Sequence, residues 1–338
     1  MHYMPICLIM IDIKDRRILL ELDLNARQSN SQIGKKVGLS KEVVKYRIDK
    51  LKERGIILRH HAIINYFKLG ISKFKLYLRL TNIDKEKQSE IAQYFYKHPR
   101  TEWVAITTGR WDMIIGFLVH NINEFDDEVL IVLNRFSKYI QEKSVTTTLY
   151  LAHQAREFLK GGDKYPDINK VTYHTSKDKQ EKINQLEDEI LMIIANNARI
   201  PLIEIAKKIN TTPRIIQYHL RELERRRIIL AYKAHLNPKA MEKIFCKAII
   251  YLINLTQDKL NKFVSYASSL PGTIWPQRVM GSWDFELDLE LDGYDAFQDV
   301  ILDLKERFPD IIKSHEFCIV SKEFKLDLYP GCYPAMGL

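Results

Sequence analysis

Two short stretches carry the side chains best suited to contact a charged polymer. The first holds Ser40, Lys41, Glu42, Lys45, Tyr46, Arg47 and Lys50; the second holds Thr212, Arg214, Gln217, Tyr218 and Arg221. At helical spacing these lie away from an apolar stripe, Val44, Ile48 and Leu51 in the first and Ile216, Leu220 and Leu223 in the second. Arg and Gln on such a face make paired hydrogen bonds to base edges in a major groove, each worth about 1–3 kcal/mol of discrimination. Lys35, Lys36, Lys207, Lys208 and Arg225 flank the two faces and suit phosphates, which position a protein without specifying a base. The expected partner is double-stranded DNA; the alternative is a solvated basic face.

A second pair of segments suits a smaller ligand. Thr108-Gly109-Arg110-Trp111-Asp112 and Gly281-Ser282-Trp283-Asp284 offer backbone N–H groups and a carboxylate to a zwitterionic amino acid. Equally, glycine makes a hairpin turn there and aspartate caps it. Other chemistries lack their residues. Cys7, Cys246, Cys318 and Cys332 form no CxxC pair and read as reduced thiols of a cytoplasmic protein, with no metal site and no cofactor. His60-His61 reads as a partly exposed pair. No nucleophile motif or glycine-rich phosphate loop occurs, so a non-enzyme is expected.

The elements that position these residues are written in caps and stripes. Asp12 with Asp15, and Asn184 with Glu187, open a first helix whose stripe is Ile18, Leu19, Leu22 or Ile190, Leu191, Ile194. Ser31 to Val37 forms a short second helix stopped by Gly38, matched by Asn210. Ser40 and Thr212 cap the third helix, and Pro213 takes its first position. This is the helix-turn-helix layout, and the strands Ile57 to Asn65 and Ile229 to Asn237 are expected to close a wing. Beyond each wing the patterns run strand, helix, strand, strand, helix, strand, a ferredoxin-like βαββαβ unit. The acidic run Asp284 to Glu290 reads as an alternating strand with a solvated face.

One constant offset, 172 positions, relates the two series. It maps Asn25-Ala26-Arg27 onto Asn197-Ala198-Arg199 and Gly109-Arg110-Trp111-Asp112 onto Gly281-Ser282-Trp283-Asp284, and still maps Phe136 onto Phe308. Chance similarity would need gaps, so the 338 residues are two homologous halves. The expected fold is α+β: a winged helix-turn-helix over 10–65, an αβ domain over 66–155, a linker over 156–182, then the same pair over 183–237 and 238–329. Net charge is +9, and it is unevenly spread. Lys14 to Arg59 carries thirteen basic against six acidic residues and Ile183 to Asn237 nine against six, whereas Pro238 to Tyr329 carries eleven against fifteen. The charge sits where the helix-turn-helix patterns sit. No apolar run reaches the length of a membrane helix, and MHYMPICLIM reads as an upstream extension with Met10 as a plausible start.

Taken together, Asp12 to Leu19, Asn25-Ala26-Arg27, Ile33 to Ser40, Arg47-Ile48, Leu51, Gly55-Ile56-Ile57 and the turn Gly109 to Asp112 resemble the Lrp/AsnC (feast/famine) family, twice over almost the whole chain. The resemblance implies a DNA-binding first domain in each half and an αβ domain that makes dimers and often binds an amino acid at subunit interfaces. Because two units are fused, the halves are expected to form a pseudo-dimer within one chain, open to further homo-oligomerisation. The recognition helices would then face successive major grooves ~34 Å apart. The second half departs by His219 for Arg47 and Arg227 for Gly55, so its DNA preference is expected to differ or weaken. Sirohaem decarboxylases resemble the same two-part fold, which makes His60, His61, His98, His120 and Arg110 candidates in an alternative, tetrapyrrole-enzyme reading. A ligand sensor without DNA binding is the third reading.

Overall fold

The cap and stripe residues set the element order of each half in a computed structural model that describes residues 11–160 and 172–330. The first half runs α1 (Ile13–Leu24), α2 (Asn30–Val37), α3 (Lys41–Glu53), β1 (Ile57–Ile64), β2 (Ser72–Leu80), α4 (Lys85–Lys97), β3 (Thr101–Gly109), β4 (Met113–Val119), α5 (Ile122–Phe136) and β5 (Ile140–His153). A short strand β6 (Thr172–Thr175) follows. Then come α6 (Gln185–Asn196), α7 (Leu202–Lys208), α8 (Pro213–Arg225), β7 (Ile229–Leu236), β8 (Ile244–Leu252), α9 (Gln257–Ser269), β9 (Thr273–Gly281), β10 (Phe285–Leu291), α10 (Tyr294–Arg307) and β11 (Ile312–Leu326). The stretch read as a linker thus contains a strand; its middle, Cys7, Cys332 and the start at Met10 lie outside the described residues. Among the described residues no helix is long and apolar enough to cross a membrane.

The two strands expected to close separate wings instead pair with each other. β1 and β7 form an antiparallel two-stranded sheet, with His60 opposite Ala234 and Ala62 opposite Tyr232. Each strand thereby supplies the other half's helices with core. Ala234 and Leu236 pack among Ile18, Leu22, Ile33, Val44 and Ile48, while Ala62 and Ile64 pack among Ile190, Ile194, Ile216 and Leu220. His60 and His61 are consequently buried, not partly exposed, because the partner strand and helix α6 cover β1.

The repeated Asn-Ala-Arg motifs meet across this seam. Ala26 N donates to Tyr232 O (2.8 Å) and Ala198 N to His60 O (2.9 Å). Arg27 Nη1 donates to Ala198 O (2.7 Å), and Arg199 Nη1 donates to Ala26 O (2.6 Å). Buried carbonyls need donors, and a duplicated arginine supplies one to each half.

Both αβ units have the ferredoxin-like strand order, β5-β2-β4-β3 and β11-β8-β10-β9. β5 and β11 are the longest strands among the described residues because each continues past its own sheet into the other. β11 pairs with β8 through Ile312–Ile319 and with β3 through Cys318–Leu326; β5 pairs with β2, then with β9 from Thr146 to Leu151. The eight strands therefore close on themselves, and β6 adds to β5 beyond the end of β2. Helices α4 and α5 cover the outer face of one sheet and α9 and α10 that of the other.

The enclosed face is aromatic and charged. Tyr77, Trp111 and Trp283 are packed together, with the two indole rings 6.1 Å apart. The acidic strand β10 lies here, buried on both faces, contrary to the solvated face expected of it. Its charges are met by two lysines and an arginine. Glu286 accepts from Lys75 (2.5 Å) and Lys247 (2.8 Å), Asp288 pairs with Lys247 (2.7 Å), and Glu290 with Arg156 (2.8 Å). At the equivalent positions of the first half stand Ile114, Gly116 and Leu118. A Cβ at Gly116 would lie 2.7 Å from the Glu102 carboxylate of the neighbouring strand β3, so a larger residue there would have to displace that side chain.

Candidate nucleic-acid interface

Helix α3 starts where the Ser40 side chain accepts a hydrogen bond from Val43 N (3.2 Å), which satisfies one of the orphan donors of its first turn. Gly38 makes the preceding turn at φ 70°, a left-handed backbone that glycine adopts without penalty. In the second half Asn210 holds that place at φ 50° and Thr212 caps α8. The turns aim the third helices outward. Val44, Ile48 and Leu51 are buried, as are Ile216, Leu220 and Leu223, so the opposite faces meet solvent.

Those faces carry the expected side chains. Lys41, Glu42, Lys45 and Lys50 are exposed, and Tyr46 is 62% exposed. On α8, Arg214, Gln217 and Arg221 are exposed and Tyr218 is likewise 62% exposed, a large aromatic surface for a globular protein to leave open. Lys45 pairs with Asp49 (3.1 Å) and Lys50 with Glu53 (2.7 Å), surface pairs that a phosphate can replace at little cost. Lys35, Lys207 and Lys208 are exposed; Lys36 is held by Glu21 (2.6 Å) and Arg225 by Glu222 (2.8 Å).

Arg47 stands apart from the other residues of the expected reading face. Its guanidinium binds the Asp12 (2.6 Å) and Asp15 (2.8 Å) carboxylates and pins α3 to the start of α1. The paired acids raise the arginine pKa, and although partial burial pushes the Asp12 carboxyl up, its hydrogen bonds and Arg47 hold it below its usual range. Its counterpart His219 faces Glu187 in the same way (3.4 Å), with Arg226 on the other side of that carboxylate (3.2 Å). The sequence contained the signal: Arg47 changes to His219 where Asp15 changes to Glu187.

The glycine–tryptophan–aspartate turns are closed on themselves. Asp112 accepts from Leu80 N (2.7 Å) and Asp284 from Leu252 N (2.8 Å), so each carboxylate caps a neighbouring strand. Arg110 pairs with Glu142 and Glu316, Ser282 with Ser144 (2.5 Å), Thr108 with Ser321 (3.0 Å), and both tryptophans are buried. Gly109, at φ 125°, lies where a Cβ would meet Phe317 O at 2.6 Å. Each carboxylate thus caps a strand in the way the hairpin-turn alternative expects, with one oxygen engaged by a backbone N–H.

The histidines and arginine of the enzyme alternative are dispersed. His60 and His61 lie inside the β1–β7 seam, His98 pairs with Glu128 of α5 (2.8 Å), and Arg110 is spent on its two glutamates. A different group, His61, His153 and His174, does gather, around the buried ends of β5 and β6. No local pattern in the sequence marks it, since two members lie far apart in the first half and the third inside the stretch read as a linker. Among the described residues no cluster of three or more His, Cys, Asp or Glu has metal-binding geometry.

Comparison with known proteins bears on the same regions. A family model described as winged helix-turn-helix DNA-binding matches residues 11–57. An uncharacterised HTH-type transcriptional regulator of Pyrococcus abyssi is 35% identical over 115 residues, 34% of this chain and 77% of the relative. The HTH-type transcriptional regulator FL11 of Pyrococcus horikoshii is 32% identical over 117 residues, 35% of this chain and 76% of its own. Among solved structures, the siroheme decarboxylase NirDL superposes with a TM-score of 0.60 at 15% identity, over 93% of this chain and 92% of that one. That likeness is one of fold, and it extends over both halves.

Proposed function

The chain belongs to the Lrp/AsnC family of helix-turn-helix transcriptional regulators, and on that premise we propose that it binds double-stranded DNA through α3 and α8 together. The observation that carries the reading is the exposure of both third-helix faces, each with a half-bare tyrosine amid cations and amides, on helices whose opposite sides are fully packed. Lys41, Lys45, Tyr46 and Lys50 serve the first face, and Arg214, Gln217, Tyr218 and Arg221 the second. Ser40 and Thr212 act at the backbone ends of those helices. Lys35, Lys36, Lys207, Lys208 and Arg225 take phosphates. The halves work as a one-chain counterpart of a dimer, a reading supported by the β1–β7 pairing and the crossed arginine contacts. Because the two faces differ, the preferred site is an imperfect palindrome.

Regulation rather than catalysis is the role, exercised where the genome lies and under control of a small molecule. The fold shared with a decarboxylase is matched by no convergence of His60, His61, His98, His120 and Arg110. Mass spectrometry of sirohaem incubated with the protein is expected to show no lost carboxyl group; its loss would restore the enzyme reading. The DNA reading is tested by anisotropy titration of labelled genomic fragments at 50 and 200 mM salt. Six or more phosphate contacts predict an affinity loss of about a thousandfold between the two. Absence of binding at the lower salt rules it out.

A further inference from the structure

We propose that the effector site of this regulator is an open cleft of about 870 Å³ between α9 and the β5–β6 edge, and that it takes an organic anion with an aromatic or branched apolar body. The inference rests on the regulator reading for its consequence, though not for its chemistry. Small-molecule sites occupy about 300–1,000 Å³ and combine an apolar lining with a few polar groups, and this cleft does both. Leu149, Leu260, Val264 and Ile274 supply apolar surface, and Asn261 and Ser265 of α9 supply polar groups. Tyr150 and Tyr173 stand side by side on β5 and β6, ring centroids 5.7 Å apart, as an aromatic wall. Arg278 of β9 is half-buried in the lining, and its side chain has no ion pair or hydrogen bond with any described residue. The acid of the lining, Glu157, is already paired with Lys160 (3.2 Å). A half-desolvated cation left without a carboxylate favours an anionic ligand.

The first half closes the equivalent place. There Phe324 of β11 packs against the outer core, and Lys325 Nζ ties the strand to the end of α4 through His98 O (2.9 Å) and Thr101 Oγ1 (3.1 Å). At the repeat offset these residues become Ala152 and His153, which are too short to make the tie. The cleft therefore opens beside α9 and not beside α4, and β6, which has no counterpart after β11 among the described residues, extends its β5 wall.

Both strands of the β5–β6 wall lead to reading helices. The β6 wall continues to Asp178, which accepts from Asn65 Nδ2 (2.7 Å), and to Glu181, which binds Lys68 (2.9 Å) and Arg226 at the end of α8 (2.7 Å). The β5 wall continues to Arg156, whose guanidinium binds Asp23 of α1 (2.7 Å), and to Leu159 in the core beneath α3. β5 and β6 are hydrogen-bonded to each other, so an occupant that sets their separation from α9 acts on both helix-turn-helix units at once. Coupling of this kind requires only that the ligand prefer one wall spacing over the other.

The probe is 1-anilinonaphthalene-8-sulfonate, an aromatic organic anion, titrated by fluorescence against the full chain. Saturable binding at one site is expected. Ser265→Trp, which fills the cleft from an exposed position, and Arg278→Gln should each weaken it about tenfold or more while leaving the melting temperature unchanged. In wild type the probe should shift DNA affinity about fivefold, and in the variants it should not. No saturable binding, binding kept in both variants, or occupancy without any shift in DNA affinity overturns the proposal. Cleft binding by a chain that binds no DNA at all instead refutes the regulator reading.

Discussion

Acidification from pH 7 to pH 5 should weaken the fold through four buried histidines before the carboxylates titrate. His60, His61, His153 and His174 are each at most 4% exposed. Burial, with neighbouring charges second, lowers His60 and His174 to about 3 and holds His61 and His153 well below the ordinary value of 6.5. The cations involved are Arg199 and Lys52 for His60, Arg59 and Lys233 for His61, Lys233 and Lys73 for His153, and Lys73 for His174. The folded chain keeps these rings neutral, while the unfolded chain takes up protons near pH 6.5. The unfolded state then binds more protons, so stability is intact above that pH and falls as pH drops from 6.5 toward 3. At 1.36 kcal/mol per unit of pH below 6.5, each ring costs about 2 kcal/mol by pH 5, and the four about 8 kcal/mol. That approaches the whole stability of an ordinary protein, about 5–15 kcal/mol. Burial pushes the Glu286 carboxyl up, but Lys247 and Lys75 outweigh it and hold the group below 4.5, so its loss falls outside this window. Urea unfolding followed by circular dichroism at pH 7, 6 and 5 measures the slope. The double variant His153→Gln, His174→Gln should lose about half of it. Stability that is flat between pH 7 and 5, or a double variant with the wild-type slope, would refute the reasoning.

Three sets of substitutions separate reading from folding. Lys45→Ala with Tyr46→Ala removes exposed groups only and should weaken the preferred DNA site by ~2–4 kcal/mol with no change in melting temperature; anisotropy titration decides. Arg47→Ala should lower stability by about 1 kcal/mol, because its pairs with Asp12 and Asp15 are partly exposed, while leaving base preference as it was. Glu286→Gln leaves buried Lys75 without a carboxylate, while Lys247 keeps Asp288, and should cost about 3–5 kcal/mol in urea unfolding, with Lys75→Met in the same chain recovering part of it.

Much of this was legible because it is local. Caps at Ser40 and Thr212, the stop at Gly38 and the stripes of α3 and α8 are decided within a few residues, and the offset of the repeats carried one half's reading onto the other. What escaped depends on the partner half. Whether β1 closes a wing or crosses to β7 is not written in β1, and the burial of His60 and His61 follows from that crossing. The acids of β10 looked solvated because alternation reports a face and not what covers it. Lys73 and Lys75 at alternate positions of β2, set against Ile114, Gly116 and Leu118 where the second half has Glu286, Asp288 and Glu290, were the clue that the two sheets face each other. The reach of Arg47 to two aspartates 32 and 35 positions away likewise belongs to the packing of α1 on α3.

The central claim, that one chain reads DNA with two unlike helices, is met most directly by a hydroxyl-radical footprint on the best site selected from genomic DNA. Two protected patches one helical turn apart, or a whole number of turns, are expected, of which Lys45→Ala with Tyr46→Ala erases one and Arg214→Ala with Arg221→Ala the other. A single patch untouched by one of these pairs, or no protection on any selected fragment, would contradict the account.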